Sequence, residues 1–449
     1  MNIIIAGCGN IGISVLQSLV SEGHNVTVID KDAKIIETAN SAFDTMGVIG
    51  NAADSDALNE AGIDSCDLFV SVTGSDEFNM LSCYLAKRLG AAHTIARIRA
   101  PEYNDHSLTF MRNELELDMS INPELQSAIE LFNILKLPGV LNIETFANRR
   151  MEMVEIPIKD DIQFTLTELR KKTKESFLIC AIERDGNVII PDGQSVIRKG
   201  DRIRLTASPF IIQKLLKNFG VETKQAKNVM IVGASQTSYY LAKLLLKSGH
   251  NVKIIERDEA KCIEFSEQVP EAVVINGSGD DQDLLTEEGI SSMDSFVAIT
   301  PSDEENTLLS FFAMSNNVPK VIAVVNRPEL ATMAEKLGLD SIVSPKKLIS
   351  DILTRYARAL ENSKGSNVEK LYKIIDGKAE ALEFNVKSDL QGLEQPIKTL
   401  KLKKNVLIAG IIRGRHAIIP TGDDYFQEGD KVIIISAGIK MNDLSDIFA

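Results

Sequence analysis

The sequence predicts an α/β chain in which two tandem parallel-sheet domains are each followed by a small α+β domain. Three observations predict it. The chain repeats itself at a domain-sized interval. The first part of each repeat alternates short apolar runs with helix-like stretches. The second part turns to short strands separated by turn residues.

Residues 2–30, NIIIAGCGNIGISVLQSLVSEGHNVTVID, align with 228–256, NVMIVGASQTSYYLAKLLLKSGHNVKIIE. Gly7 falls on Gly233, His24 on His250 and Asp30 on Glu256, each 226 positions apart. Gly50–Asn79 aligns with Gly277–Asn306 at an offset of 227, and Arg99-Ala100-Pro101-Glu102 falls opposite Asn326-Arg327-Pro328-Glu329. Ile190-Pro191 matches Ile419-Pro420, and Gly200-Asp201 matches Gly429-Asp430. A period this long belongs to a duplicated domain pair, not a solenoid.

Within the first copy, IIIAG, NVTVID, TMGVI, DLFVSV and TIARIR read as buried parallel strands, short and rich in Val and Ile. Stretches such as IGISVLQSLVSEG and DEFNMLSCYLAKRLG lie between them as helices, which requires an open parallel sheet with right-handed crossovers. Asn122 before Pro123, and Ser344 before Pro345, mark the start of a further helix in each copy. The composition then changes. MVEIPI, SFLICAIERDG, NVIIPDG and DRIRLTAS are strands, and PFIIQKLLKNF is a closing helix. ALEFNV, NVLIAGIIRGRHAIIP and DKVIIIS repeat the strands, with hairpin turns expected at Arg184-Asp185-Gly186-Asn187 and Arg413-Gly414-Arg415. The expected domains are 1–137, 138–222, 223–362 and 363–449, with linkers near 138–150, 220–227 and 361–369.

The chain has 449 residues, 44% of them hydrophobic and 25% charged, the balance of a globular protein with real cores. No apolar run approaches the ~20 residues that span a bilayer, and MNIIIAGCGNIG lacks a basic leader, so a secreted or membrane-spanning chain is not expected. The net charge of −14 argues against nucleic acid or anionic lipid as a partner and suits docking on a basic protein surface. Five scattered cysteines without a C-x-x-C pair fit reduced thiols in a cytoplasm, and neither a disulfide framework nor a metal site.

GCGNIG, comprising Gly7, Cys8, Gly9, Asn10, Ile11 and Gly12, is a G-x-G-x-x-G loop that follows a strand and opens a helix. Gly7 permits the tight turn, Gly9 lets a pyrophosphate approach the backbone, and Gly12 lets the helix pack on the strand. The helix N-terminus then offers N–H groups and the positive end of its dipole to phosphates. Asp30 ends the second strand, where an acid accepts bonds from adenosine-ribose hydroxyls and disfavours a 2′-phosphate; Lys31 beside it softens that preference. The first domain of each copy is therefore expected to be Rossmann-like, and in the first copy NAD(H) is favoured over NADP(H). Asn51 and Ala52 are expected near the adenine, and Thr73 near the middle of the cofactor. Arg97 and Arg99, two apart on one strand, share a face from which they reach phosphates or else an edge or interface. Asp54, Asp76, Asp281 and Asp303 are expected as helix caps.

The second loop, Gly233 to Ser238, keeps only its first glycine. Ser235 puts a side chain where the pyrophosphate would press, while Glu256 keeps the ribose acid. Gly233 and Glu256 thus mark a second site that binds a dinucleotide weakly, binds another nucleotide, or is empty. His24 and His250 occupy the same Gly-His-Asn-Val turn and read as turn residues, and no catalytic constellation is visible. A duplicated nucleotide site without catalytic groups reads as a ligand-gated switch.

GCGNIG with Asp30, GNAADSDALNEAGI, VTGSDEFN, ARIRAPEY (Ala96 to Tyr103) and the V-I-I-P…G-D closing from Val188 to Asp201 carry a resemblance. Over essentially its whole length the chain resembles the TrkA family, the cytosolic regulatory subunits of bacterial Trk potassium uptake systems. Its halves are similar to domains that regulate K⁺ conductance (RCK domains). The resemblance implies a homotetramer whose eight nucleotide-binding domains form a gating ring. That ring would sit on the cytoplasmic face of the inner membrane under a Trk-type K⁺-translocating integral membrane subunit. It also implies response to NAD(H) and to ATP/ADP, and small domains that bind further ligands or stabilise the assembly. The lack of catalytic groups noted above leads us to expect no enzymatic activity. The alternative function is an NAD-dependent oxidoreductase.

Overall fold

The computed structural model describes residues 1–100, 103, 105–136, 139–146, 150–158, 161, 164–173, 175–218, 226–339, 341–363, 368–375, 378–439, 441 and 443–449. The expected junctions at 137/138 and 222/223 lie outside the described residues.

The first copy opens with β1 (Asn2–Ala6), α1 (Asn10–Ser21), β2 (Asn25–Asp30), α2 (Ala33–Ala42), β3 (Met46–Ile49), α3 (Ser55–Glu60), β4 (Leu68–Ser71), α4 (Asp76–Leu89), β5 (His93–Arg97), α5 (Asp105–Glu114), β6 (Met119–Ile121) and α6 (Pro123–Lys136). Its six strands pair in the order β3-β2-β1-β4-β5-β6, and every pairing is parallel. Ile3, Ile5, Val28, Leu68, Phe69 and Val70 are buried, as strands covered on both faces must be. The order reverses between β1 and β4, so the ligand crevice of such a sheet lies at their carboxyl ends.

The small domain follows with β7 (Asn142–Phe146), β8 (Met151–Pro157), α7 (Leu166–Thr173), β9 (Leu178–Arg184), β10 (Asn187–Ile189), β11 (Arg202–Ala207) and α8 (Pro209–Asn218). The strands form an antiparallel sheet, β10-β9-β11-β8-β7. Asp185 and Gly186 join β9 to β10 with φ of 52° and 73°, the left-handed pair that a two-residue hairpin needs. Helix α7 carries no buried residue, which is why no apolar periodicity announces it in the sequence.

The second copy repeats the plan: β12 (Asn228–Val232), α9 (Gln236–Lys247), β13 (Asn251–Glu256), α10 (Glu259–Gln268), β14 (Val273–Asn276), α11 (Gln282–Glu287), β15 (Ser295–Ala298), α12 (Asp303–Ser315), β16 (Lys320–Val324), α13 (Pro328–Lys336), β17 (Ile342–Val343) and α14 (Pro345–Ser363). Its sheet runs β14-β13-β12-β15-β16-β17, the order of the first. The last sheet holds β18 (Val368–Ile374), β19 (Ala379–Asn385), β20 (Val406–Arg413), β21 (His416–Ile418) and β22 (Lys431–Ala437), in the order β18-β19-β22-β20-β21.

The four segments gather into two compact units. Met1–Phe132 joins Lys227–Ala357, and Asn133–Ala226 joins Arg358–Ala449. In the second unit the two small sheets share one core, with Phe146, Met153 and Ala181 packed among Ala381, Ala409 and Ile435. Thr206 Oγ1 donates to the Ala409 carbonyl (3.1 Å), Tyr372 donates to the Thr145 carbonyl (2.8 Å), and a side chain at Gly410 would collide with Met151. The duplication therefore makes like pack on like, a pairing that the linear sequence does not display.

Candidate nucleotide-binding site

The Gly7–Gly12 loop links the carboxyl end of β1 to α1. Its three glycines are there for different reasons. Gly7 has φ of +92°, and a side chain on it would lie 3.0 Å from Thr73. A Cβ on Gly12 would run into the Gly7 carbonyl. Gly9 is unlike both. It is the N-cap of α1, with φ −65° and ψ −167°, which any residue adopts, and no side-chain cap bond. A Cβ on it would meet nothing within 4 Å. Nothing in the chain demands glycine here. The open space over a bare helix N-terminus is what a phosphate requires, so the residues fit a dinucleotide's diphosphate.

Asp30 has a structural task that the sequence reading missed. One carboxylate oxygen accepts the Cys8 amide (2.7 Å) and the other accepts the Asp32 amide (3.0 Å). It clamps the glycine loop to the end of β2, and each oxygen keeps further acceptor capacity for a ribose hydroxyl. The Cys8 side chain is buried, and burial, aided by Asp30, pushes its thiol up to about 12. Cys8 thus serves the loop through its amide. Asn10, exposed, and Ile11, half-buried, form the first turn of α1 together with Gly12, which is buried. The Gly50 amide donates to the Asp30 carbonyl (2.9 Å), Asn51 accepts the Ala53 amide (3.0 Å), and Ala52 is buried beside them. Lys31 lies over the Phe78 ring, 5.2 Å from its centroid.

Thr73 is held by Asn79, a second residue the sequence reading left without a role. The Asn79 Oδ1 accepts the Thr73 amide (2.8 Å) and hydroxyl (2.6 Å), while its Nδ2 donates to the Arg97 carbonyl (2.9 Å). Asn306 does the same in the second copy, accepting the Thr300 amide (2.7 Å) and donating to the Val324 carbonyl (2.8 Å). Both amides are buried, and each pins the carboxyl ends of two adjacent strands together. The repeat itself carried the signal, since both aligned segments end on this asparagine.

Arg97 and Arg99 stand at the carboxyl end of β5, and each already holds a carboxylate. Arg97 pairs with Glu124 in the first turn of α6 (3.2 Å), and burial lowers its pKa from the ordinary guanidinium value. Arg99 pairs with Asp76 (3.2 Å) and donates to the Gly74 carbonyl. Asp76 is accordingly not the cap of α4. Ser75 caps that helix, and Asp76 instead accepts the Arg99 and Ala100 amides (2.7 and 2.8 Å). Asp303 likewise accepts the Asn326 and Arg327 amides (3.0 and 2.9 Å) while Ser302 caps α12. The capping expectation holds for Asp54 and Asp281. His24 and His250 sit in the turns between helix and strand, buried, with amides bonded to Leu19 and Leu245.

The second loop satisfies itself. Ser235 is the N-cap of α9, its hydroxyl accepting the Ser238 amide (3.1 Å) and meeting the Ser238 hydroxyl (2.9 Å). The Ser238 hydroxyl in turn donates to the Gly233 carbonyl (2.6 Å). Glu256 keeps the clamp of Asp30, accepting the Ala234 and Asp258 amides (2.7 and 2.9 Å). A cavity of about 50 Å³ remains between Gly233, Glu256, Lys261, Gly279 and Thr300. A larger recess of about 280 Å³ involves Asn2, Asn25, Asp44 and Ser65 at the amino ends of the first sheet's strands, the end away from ligands in folds of this kind. Among the described residues no cluster could hold a metal ion, and no helix is long and apolar enough to cross a membrane.

Comparison with known proteins agrees with the fold. The TrkA-N domain model matches residues 3–123 and 229–345, and the TrkA-C domain model matches 153–220 and 382–449. The chain is 31% identical over 457 aligned residues to Trk system potassium uptake protein TrkA homolog 1 of Methanosarcina mazei, covering 100% of both chains. It is 30% identical to Trk system potassium uptake protein TrkA of Haemophilus influenzae, covering 97% of this chain and 95% of that one. The GsuK channel bound to NAD has the same fold, with a TM-score of 0.63 and 16% identity, covering 97% of this chain and 77% of that one.

Proposed function

The chain belongs to the TrkA family, and on that premise we propose that it is a nucleotide-sensing regulatory subunit of a K⁺ uptake system. It binds NAD(H) in the first crevice and converts occupancy into a change of shape. The observation that carries this reading is Gly9, a helix N-cap left bare where the chain itself would accept a side chain. Gly7, Cys8, Asn10, Ile11 and Gly12 shape the diphosphate cradle, Asp30 takes the ribose, Asn51 and Ala52 border the adenine, and Thr73 lies at the middle of the ligand. Arg97 and Arg99 reach phosphates only by sharing or releasing Glu124 and Asp76. ATP or ADP would use the same helix terminus. Gly233 and Glu256 mark a second site whose diphosphate position Ser235 already occupies.

The mechanism is linkage. A ligand shifts an assembly only by binding two shapes unequally, and about 1–3 kcal/mol of coupling is usual. We place four segments, 1–137, 138–222, 223–362 and 363–449, in each of four subunits of a ring on a Trk-type membrane partner at the cytoplasmic face of the membrane. Self-association is supported by exposed apolar residues recurring at equivalent positions, Leu81 (49%) with Leu308 (70%) and Phe110 (65%) with Leu337 (62%). Chemistry on the nucleotide is not part of this reading.

The test is to reconstitute the intact chain with its membrane partner in vesicles and follow K⁺ flux against NADH. Nucleotide-dependent flux in wild type, shifted to higher NADH concentration in Gly9→Ser with native mass and melting retained, is expected. Flux indifferent to NADH, or consumption of NADH with a small carbonyl substrate, refutes the proposal.

A further inference from the structure

The helix that follows each glycine loop reaches across to the other copy. On α1, the Ser14 hydroxyl meets that of Ser350 on α14 (2.8 Å). The equivalent position on α9, 226 residues later, is Tyr240. Its hydroxyl donates to the Arg99 carbonyl (3.0 Å) and accepts from Asn122 Nδ2 (3.2 Å). Asn122 also donates to the Arg99 carbonyl (3.1 Å) and caps α6 by accepting the Leu125 amide (2.9 Å). One hydroxyl of the second copy therefore ties the segment after β5 to the start of α6. That junction is on the carboxyl edge of the first sheet, the edge where ligands bind.

Helix α9 is itself well fixed. Its N-terminus is closed by the Ser235–Ser238 capping box and by the bond from Ser238 to Gly233. The Tyr240 ring packs edge-on against Tyr239 at 5.3 Å, and Tyr239 packs against Phe265 at 6.4 Å. A helix held at its N-cap and along one face is a firm support for a hydroxyl one turn further on.

We propose that the second glycine loop works as a brace, and that Tyr240 is a positioning residue for the first crevice. The second loop has exchanged an open phosphate cradle for internal bonds. The helix so anchored fixes the rim that carries Arg97 and Arg99. The proposal rests on the reading of the first crevice as the nucleotide site, but the brace itself is measurable without ligand.

Tyr240→Phe keeps the ring and its packing and removes both hydrogen bonds, while Tyr239→Phe is the control. Amide hydrogen exchange on the intact, ligand-free chain should show Ala100, Leu125 and Gln126 exchanging about 3- to 10-fold faster in Tyr240→Phe, the loss expected for hydrogen bonds of this class. Tyr239→Phe should leave them unchanged. NADH affinity should fall by about the same factor, and adding Tyr240→Phe to Asn122→Ala should bring little further loss, because the two act through one junction. Unchanged exchange at these amides overturns the brace, as does equal loosening by both tyrosine variants. If wild type takes no NADH, the reading of the first crevice fails, and the exchange measurement still decides the brace.

Discussion

Gly9→Ser separates what the fold needs from what the ligand needs. The residue sits at an N-cap with φ −65° and ψ −167°, and a Cβ there touches nothing within 4 Å. Serine is at least as good an N-cap as glycine, so stability should be unchanged or should rise by a few tenths of a kcal/mol. Its hydroxyl would accept the Gly12 amide, as Ser235 accepts that of Ser238. A phosphate then loses one charge-assisted donor, about 1.5–3 kcal/mol, and meets a side chain in its path. NADH affinity should fall about 10- to 150-fold, with more from the steric term. Calorimetric titration of the intact chain, beside a thermal melt, reads both quantities. A melting point lowered by more than about 5 °C would mean that the chain itself demands glycine here. Undiminished NADH binding would mean that the phosphate lies elsewhere. Either result defeats the argument.

Asn79→Ala should destabilise the first domain by about 2–4 kcal/mol, because it strips the Thr73 amide and the Arg97 carbonyl of a buried partner; urea unfolding checks it, and a loss below about 1 kcal/mol contradicts it. Asp201 is nearly fully buried, which would raise its carboxyl, but the Arg184 guanidinium (2.8 and 2.7 Å) and the Arg198 amide (2.7 Å) hold it below the ordinary 3.8. A carboxyl lowered on folding adds stability that is complete above its ordinary value and is lost as pH falls through the lowered one. Arg184→Met should therefore cost about 2–3 kcal/mol at pH 7 and flatten the loss of stability below pH 4; an acid profile parallel to wild type is the contrary result. Burial pushes the Cys66 and Cys180 thiols up to about 12, as it does for Cys8, and also raises Cys83 and Cys262. Iodoacetamide at pH 8 should accordingly modify Cys8, Cys66 and Cys180 at least about 100-fold more slowly in the native chain than in the unfolded chain; rapid labelling of any one of these three points to local opening there.

Much of this architecture was legible because it is encoded locally and twice. Strands such as Ile3–Ile5 and Leu68–Val70 are buried on both faces and read as apolar runs, and each loop's position follows from the strand before it and the helix after it. Asp30 was legible as an acid at the end of β2, but its clamp on Cys8 and Asp32 was not, since one carboxylate can face a ligand and the backbone at once. Asp76 and Asp303 misled for a related reason. An acid at a helix start resembles a cap, and only the path of the chain after β5 and β16 shows which amides it takes. The shared core of the small sheets, and the reach of Tyr240 to Arg99 across 141 positions, depend on how the copies dock. No periodicity within either copy records that.

The difference between the copies comes down to the amide of the third residue of one helix. With glycine at the N-cap, the Gly12 amide has no side-chain acceptor supplied from position 9, and the positive end of α1 is available to a ligand. With serine at the equivalent place, the Ser238 amide is bonded within the chain, and α9 gains a rigid start. A duplicated domain with two open cradles would have two movable rims leaning on each other through positions 14 and 240. Closing one cradle gives the other a fixed neighbour to move against. On the proposed reading, free energy of binding in the first crevice would appear as displacement of one half relative to a held half.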